Sequence, residues 1–257
     1  MKQGVVKFLQ QAGRNAGDGL LGLVYPRTCY GCEELLGEQP GWLCADCTGQ
    51  LHPITRPFCE VCCQPFWGDL AEGFQCSNCA DRDLRFDFAR AAYQSRDLAR
   101  VLVHRFKYRG QFFLARLLGE MLDQALEDPR IAEVAESGEW VLVPVPLHAR
   151  RQREREFNQA EELSREVAHR RGLKLVNALR RTRYTRRQAM LDRAERLTNL
   201  RGAFAISPKT RESKAIVGKR VLLVDDVLTT GATASECART LSGGGALKVV
   251  VITVVRG

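Results

Sequence analysis

Eight of the ten cysteines stand in four C-x-x-C pairs: Cys29/Cys32, Cys44/Cys47, Cys59/Cys62 and Cys76/Cys79. No other feature so limits how the first third of the chain folds. A C-x-x-C knuckle directs two thiolates at one centre, and two knuckles complete the tetrahedral shell that zinc prefers. Eleven residues separate the first pair from the second and thirteen the third from the fourth, each gap long enough for a short hairpin. Sequential pairing predicts one zinc on Cys29, Cys32, Cys44 and Cys47, and a second on Cys59, Cys62, Cys76 and Cys79. A crossed pairing satisfies the same spacing. Cys63 is the spare thiol, because the spacing from Cys59 favours Cys62 as the ligand. Redox or iron–sulfur chemistry is the competing use of such pairs, yet four regular pairs without a βαβ context favour zinc. Large apolar residues are few here (Trp42, Leu43, Phe58, Phe66, Trp67 and Phe74), so metal is expected to supply much of the folding free energy. Eight thiolates for two ions leave no open coordination position, and both sites are expected to be structural.

The 257 residues, 45% of them hydrophobic, are enough for a full α/β core beside this small module. No apolar run approaches the 18 residues of a membrane span. Met1 to Leu23 interrupts its hydrophobic residues with Gln10, Gln11, Arg14, Asn15 and Asp18, too polar a pattern for a signal-peptide core. The expected location is the cytoplasm, where cysteines serve metal or catalysis rather than disulfides. The formal charge of +9 is concentrated: between His148 and Arg187, thirteen Lys or Arg face five Glu and no Asp. Such a zone attracts polyanions, whether pyrophosphate, a phosphorylated sugar or nucleic acid.

From Leu84 onward helices and strands alternate. Ser95 is the expected N-cap of a helix carrying Leu98, Val101, Leu102 and Phe106 on one side, which runs into Lys107-Tyr108-Arg109-Gly110. A second helix is expected over Gln111 to Leu126, with Phe112, Leu117, Leu118, Met121 and Leu122 inward. Trp140 to Val145 reads as a strand closed by Pro144 and Pro146. Asn158, with Glu161 three residues on, marks a helix start, and Gly172 its end. Leu173 to Val176 reads as a short strand, and Arg180 to Arg201 as a basic loop entering a helix. Val221 to Val224 reads as a buried parallel strand delivering Asp225 and Asp226 at its C-terminal end. Thr229, Thr230 and Gly231 then lead into a helix from Ala232 to Leu241, followed by a last strand from Lys248 to Val255. Paired carboxylates in that position suit vicinal ribose hydroxyls. The free N–H groups and dipole of the following helix suit a phosphate, and Gly231 lets the backbone approach it. Ligands of open parallel sheets bind beyond the C-terminal ends of the strands, where these residues stand.

The V-D-D-V-L-T-T-G-A-T stretch resembles the fingerprint of the phosphoribosyltransferases. The whole pattern, from about Cys29 to Val255, resembles the ComF family of competence-associated proteins, GntX-like members included. The shared signatures are the four C-x-x-C pairs, F-K-Y-R-G at Phe106 to Gly110, and V-P-V-P at Val143 to Pro146. R-x-R-x-F-N-Q-A follows at Arg153 to Ala160, then Q-A-M-L-D-R-A-E-R at Gln188 to Arg196. The resemblance implies an α/β fold: a type I phosphoribosyltransferase-like parallel sheet with an N-terminal double zinc ribbon. The implied organisation is a helical segment over 1–24, the ribbons over 25–83 and the phosphoribosyltransferase-like domain over 84–257.

It further implies that Asp225 and Asp226 hold the 2′ and 3′ hydroxyls of 5-phosphoribosyl-1-pyrophosphate (PRPP). Thr229, Thr230, Gly231, Ala232 and Thr233 would hold its 5′-phosphate. Lys107 to Gly110, with Tyr108 among them, would form the pyrophosphate loop, where Lys107 or Arg109 offsets the leaving group's charge. Mg²⁺ would bridge pyrophosphate and ribose oxygens. Arg153, Arg155 and the Arg180 to Arg187 stretch would close over the site. The chemistry implied is displacement at the anomeric carbon. Glu156 departs from the family, which carries Gly there, and this removes easy access to positive φ and adds a negative charge beside an anion site.

Three functions of different class fit these residues: phosphoribosyl transfer to an unidentified acceptor, handling of single-stranded DNA alongside other DNA-uptake proteins, and non-catalytic sensing of the activated sugar. Phe157, Tyr184, Trp42 and Trp67 are the candidate stacking faces for a strand. Cys237 is expected to be a small buried hydrophobe.

Overall fold

The computed structural model describes residues 27–37, 39–69, 71–131, 138–183 and 200–257. The expected 1–24 helical segment, Tyr184, most of the basic loop and the Q-A-M-L-D-R-A-E-R motif lie outside them. The chain forms two compact units, Met1–Gln50 and Leu51–Gly257.

The first unit holds the first cysteine quartet. A bridge between Thr28 and Leu35 closes the Cys29/Cys32 knuckle, and helix α1 (Ala45–Gly49) starts directly after Cys44. Tyr30 and Trp42 stack with ring centroids 5.2 Å apart. The second quartet repeats this plan inside the second unit. Phe58 bridges Pro65, helix α2 (Ser77–Ala80) starts after Cys76, and Phe66 meets Phe74 edge-on at 4.9 Å. Trp67, one of the candidate stacking faces, is 88% exposed.

The rest of the second unit is built on a five-stranded sheet. Its strands are β1 (Phe88–Gln94), β2 (Trp140–Pro144), β3 (Lys174–Leu175), β6 (Arg220–Leu228) and β7 (Lys248–Arg256). All pair in parallel, in the order β1-β7-β6-β2-β3. The runs Val221–Val224 and Val249–Val255 are buried throughout, and Thr253 is their one polar residue. Near-continuous apolar strands are what a parallel sheet covered on both faces requires.

Helices α3 (Asp97–Tyr108), α4 (Leu114–Asp123), α5 (Ala149–Arg155) and α6 (Gln159–Arg171) lie between β1 and β3 in sequence. Helix α4 packs on α6 and on β1 and β7. Asn158 caps α6 by accepting from Ala160 N at 3.2 Å, and Gly172 ends it at φ 65°. Glu161 turns to Arg165 rather than back to the cap. After β3 come an antiparallel pair, β4 (Leu179–Arg181) and β5 (Phe204–Ile206), and helix α7 (Pro208–Ser213). Helix α8 (Ala232–Gly243) follows β6 and joins the core on the Val221, Leu223, Val249 and Val251 side through Ala234, Cys237, Ala238 and Leu241.

The α/β parallel sheet with an N-terminal double zinc ribbon is thus the fold expected. Local expectations fare less evenly. Helix α3 starts at Asp97 behind Arg96, not behind Ser95, and Arg96 makes no side-chain cap. Val101 is 48% exposed, since the buried side of α3 runs through Leu98, Leu102 and Phe106 without it. Helix α4 starts at Leu114, leaving Phe112 in the preceding turn and 45% exposed. Gly110 at φ 62° separates the two helices, so the apolar period cannot carry through. Strand β6 runs to Leu228, four residues past the expected end. Burial favours an all-apolar run, but hydrogen bonding to β7 carries the strand through both aspartates.

Candidate functional site

Strand β6 makes the site by losing one neighbour before the other. Its ladder with β2 ends at Pro144 opposite Val224, whereas its ladder with β7 continues through Asp225, Val227 and Leu228. Pro144 and Pro146 bring no N–H donors, so on the β2 side the edge opens at the aspartates. A cavity of about 1010 Å³ occupies the opening. Its walls are the end of α3 (Lys107 to Gly110), the turn after β2 (Val145 to Leu147), the α5–α6 corner, and Asp225 to Ala234. All eleven residues expected at the sugar-phosphate site therefore line one cavity.

Lys107 Nζ lies 2.9 Å from Asp226 Oδ1, and both side chains are largely buried. A half-buried ammonium next to a buried carboxylate is stable only as a pair. Asp225 Oδ1 accepts from the backbone N of Asp226 at 2.9 Å. Burial, then the Asp226 charge, pushes the Asp225 carboxyl up to about 8 against the pull of Lys107. Lys107 thus pairs with one carboxylate, while burial and the like charge beside it disfavour ionisation of the other. Such a site is arranged for hydroxyl groups or a cation.

Gly231 caps α8 at φ 76°. A Cβ there would only reach van der Waals contact, 3.4 Å from the Phe86 ring, so it is the conformation that favours glycine. Thr230 Oγ1 accepts from Ala232 N at 3.4 Å. The N-terminus of α8 thus borders the cavity, and helix N-termini are places where anions bind.

The basic zone divides in two. Arg165 pairs with Glu161 and Glu162, Arg170 with Glu120, and Arg171 with Asp123 and Glu127, so the α6 half is neutralised on the surface. Arg151, Arg155 and Arg181 line the cavity. Arg153, expected with them, is exposed and is not among the lining residues. Sequence reasoning missed the lining turn Val145 to Leu147, Arg151, Asn158 and Gln159; the signal was available in P-V-P-L-H following a buried strand.

In each cysteine quartet the Sγ atoms lie within 4.8 Å of one another. Zinc at about 2.3 Å from four sulfurs needs tetrahedral edges of about 3.8 Å. The Cys32–Cys44, Cys62–Cys76 and Cys76–Cys79 pairs are each 3.7 Å apart. The pairing is sequential, and the donor sets fit zinc. Burial opposes the Cys29 thiolate, but backbone N–H donors outweigh it and hold its pKa at about 6. Chiefly the Cys62 thiol holds Cys59 at about 4. Burial pushes Cys47 up and Cys79 up to about 12, and the Cys59 thiolate pushes Cys62 up. Within a quartet the close sulfurs oppose one another's ionisation. A divalent ion is what lets all four ionise.

Residues 20–80 match the double zinc ribbon domain family. Over 224 residues the chain is 30% identical to competence protein F of Haemophilus influenzae, covering 83% of this chain and 96% of that one. It belongs to the competence protein F family. Two other relatives are competence protein ComFC of Bacillus subtilis and DNA utilization protein YhgH of Salmonella typhimurium. The first is 26% identical over 94% of this chain and 98% of its own length. The second is 27% identical over 91% and 99%. Among solved structures, the allosteric regulatory enzyme of purine biosynthesis is similar at 23% identity and a TM-score of 0.33, over 54% of this chain and 25% of that one.

In this member of the competence protein F family, Glu156 adopts a conformation for which glycine is best suited. It ends α5 in the left-handed region at φ 68° and lines the cavity. The corner thus carries a non-glycine residue at positive φ, at the cost of backbone strain. The expected stacking faces are rearranged. Phe157 is buried against Phe106 and Phe112, with centroids 5.1 and 4.4 Å away. The aromatics exposed near the cavity are instead Tyr108, Phe112 and Phe113. Arg155 lies over the Tyr108 ring at 4.9 Å. Cys237 is fully buried, and burial pushes its thiol well up. Among the described residues no helix is long and apolar enough to cross a membrane.

Proposed function

We propose that this chain binds PRPP with Mg²⁺ in the cavity at the end of β6, and that it acts in the cytoplasm on incoming single-stranded DNA during DNA uptake. The observation that carries the ligand is the continuity of one cavity from the Lys107–Asp226 pair, past Asp225, to the amides of the α8 N-terminus. Relatives named for competence and for DNA utilization support the setting.

In this reading the α8 amides and Thr230 to Thr233 bind the 5′-phosphate, and Asp225 and Asp226 take the ribose hydroxyls. Lys107 exchanges Asp226 for the pyrophosphate, with Arg109, Arg151 and Arg155 around it. Oxygen donors suit Mg²⁺, and the two aspartates with the ligand's own oxygens would hold it, where it neutralises leaving-group charge. Displacement at the anomeric carbon then needs the departing pyrophosphate stabilised and water excluded.

Calorimetric titration of the zinc-loaded protein with PRPP and Mg²⁺, beside Asp225→Asn/Asp226→Asn, tests the site. Saturable binding in the wild type and at least a hundredfold loss in the double variant are expected, with both zinc ions retained. Undiminished affinity in the variant would sink the assignment. Strand binding is a second reading, favoured by the exposed Tyr108 under Arg155, with Phe112 and Phe113 exposed a few residues on in the chain. An oligonucleotide arm at low and high salt decides it, because phosphate contacts make affinity fall steeply with salt; a flat response removes it.

A further inference from the structure

The second zinc ribbon is built into the phosphate loop. Arg82 stands three residues past the ligand Cys79, and its guanidinium donates to the carbonyl oxygen of Thr230 at 3.0 Å. Two residues on, Leu84 lies 3.7 Å from where a Gly231 Cβ would be, with the Phe86 ring at 3.4 Å. Between them, the Arg85 backbone N donates to Ser235 Oγ in the first turn of α8, at 3.0 Å. A second strut reaches the loop from the other side. Arg256, 6% exposed at the end of β7, donates through Nε to the carbonyl oxygen of the ligand Cys62 at 2.9 Å. It donates through a terminal nitrogen to the carbonyl oxygen of Leu228 at 3.0 Å. The loop from Leu228 to Gly231 is therefore held at both ends by groups whose positions depend on the Cys59–Cys79 knuckles.

We propose that this ribbon positions the phosphate loop, with Arg82 and Arg256 as the positioning residues. The inference rests on the proposed ligand site but concerns a different question: what fixes the loop. A helix N-terminus binds an anion well only if its N–H groups are held in place beforehand, since ordering them on binding costs affinity. Thr230 has no regular ladder to fix it: strand pairing ends at Leu228 and α8 starts at Ala232. Arg82 supplies that constraint through a charged donor, the stronger kind of hydrogen bond. It touches the Thr230 carbonyl oxygen, so it takes up none of the loop's N–H donors. The zinc site fits this use, because a filled tetrahedral quartet fixes the backbone of both knuckles at once.

The test compares wild type, Arg82→Ala and Arg82→Lys, all zinc-loaded, by hydrogen–deuterium exchange at residues 229–233 and by PRPP titration. Arg82 is half-buried at the surface, so the alanine variant is expected to keep two zinc ions and its overall melting behaviour. Amide exchange in 229–233 should rise about tenfold in Arg82→Ala and be partly restored in Arg82→Lys, whose ammonium can still reach a carbonyl. PRPP affinity should fall by about the same factor. Unchanged exchange at 229–233 in Arg82→Ala overturns the inference, as does a rise spread evenly over the whole unit. If wild type fails to bind PRPP, the ligand reading fails, while the exchange measurement still decides what holds the loop.

Discussion

The two ribbons share one plan and differ in what surrounds it. Each has a knuckle closed by a residue in the left-handed region, Glu33 at φ 68° and Cys63 at φ 57°. Each has a short helix starting at its third cysteine. In the first, Cys32 is exposed and Cys44 partly so; in the second, all four ligands are buried. Only the second belongs to the compact unit of the sheet. Identical coordination chemistry thus serves two ends: one ribbon folds as a module of its own, and the other is part of the core that carries the cavity. The spare cysteine makes the same point. Cys63 takes the position that Glu33 occupies in the first ribbon, and no metal needs it. Its thiol is fully buried, donates to Ala91 O, and accepts from Arg90 at 2.9 Å.

The largest expected contrast comes from removing one ligand per ribbon. Cys44→Ser should lose one of two zinc ions and leave residues 51–257 folded, with PRPP affinity within about twofold of wild type. Cys76→Ser should also lose one zinc, but with it the cooperative unfolding transition of the sheet unit, since the three remaining buried sulfurs lose the ion that holds both knuckles together. Zinc stoichiometry and thermal unfolding followed by near-ultraviolet circular dichroism separate the two, and equal damage from both variants would erase the distinction. A smaller contrast comes from the left-handed positions. Glu33→Gly should stabilise by up to about 1 kcal/mol, because glycine relieves the conformational cost. Cys63→Gly gains the same relief but removes a fully buried sulfur and one of two acceptors of an Arg90 nitrogen, which keeps the Ala91 carbonyl oxygen, so a net loss of about 1–3 kcal/mol is expected. Denaturant midpoints for each variant test the difference in sign.

What the sequence disclosed follows the same division. Ligand geometry is local, so C-x-x-C spacing predicted both quartets and, once pairing was assumed sequential, their membership. The strand–loop–helix at Val221 to Leu241 is also local, and it placed Asp225, Asp226 and the α8 N-terminus correctly in one cavity. What sequence left hidden depends on contacts far apart in the chain. The extension of β6 to Leu228 needs the β7 ladder. The Lys107–Asp226 pair joins residues more than a hundred positions apart. The Arg82–Thr230 and Arg256–Cys62 contacts tie a ribbon to a loop at still longer range. Helix α5 was missed because Arg, Gln and Glu give no apolar period, and none of its residues is buried. Glu156 was read as an obstacle to the loop, yet the loop forms, because surrounding structure can hold one non-glycine residue at positive φ.

The most direct test of the account is a crystal structure of the zinc-loaded protein grown with PRPP and Mg²⁺. The account predicts the 5′-phosphate on the amides of residues 230–233, the ribose hydroxyls on Asp225 and Asp226, and Lys107 moved from Asp226 to the pyrophosphate. Ligand density elsewhere on the protein, with the Lys107–Asp226 pair intact and the loop empty, would contradict it.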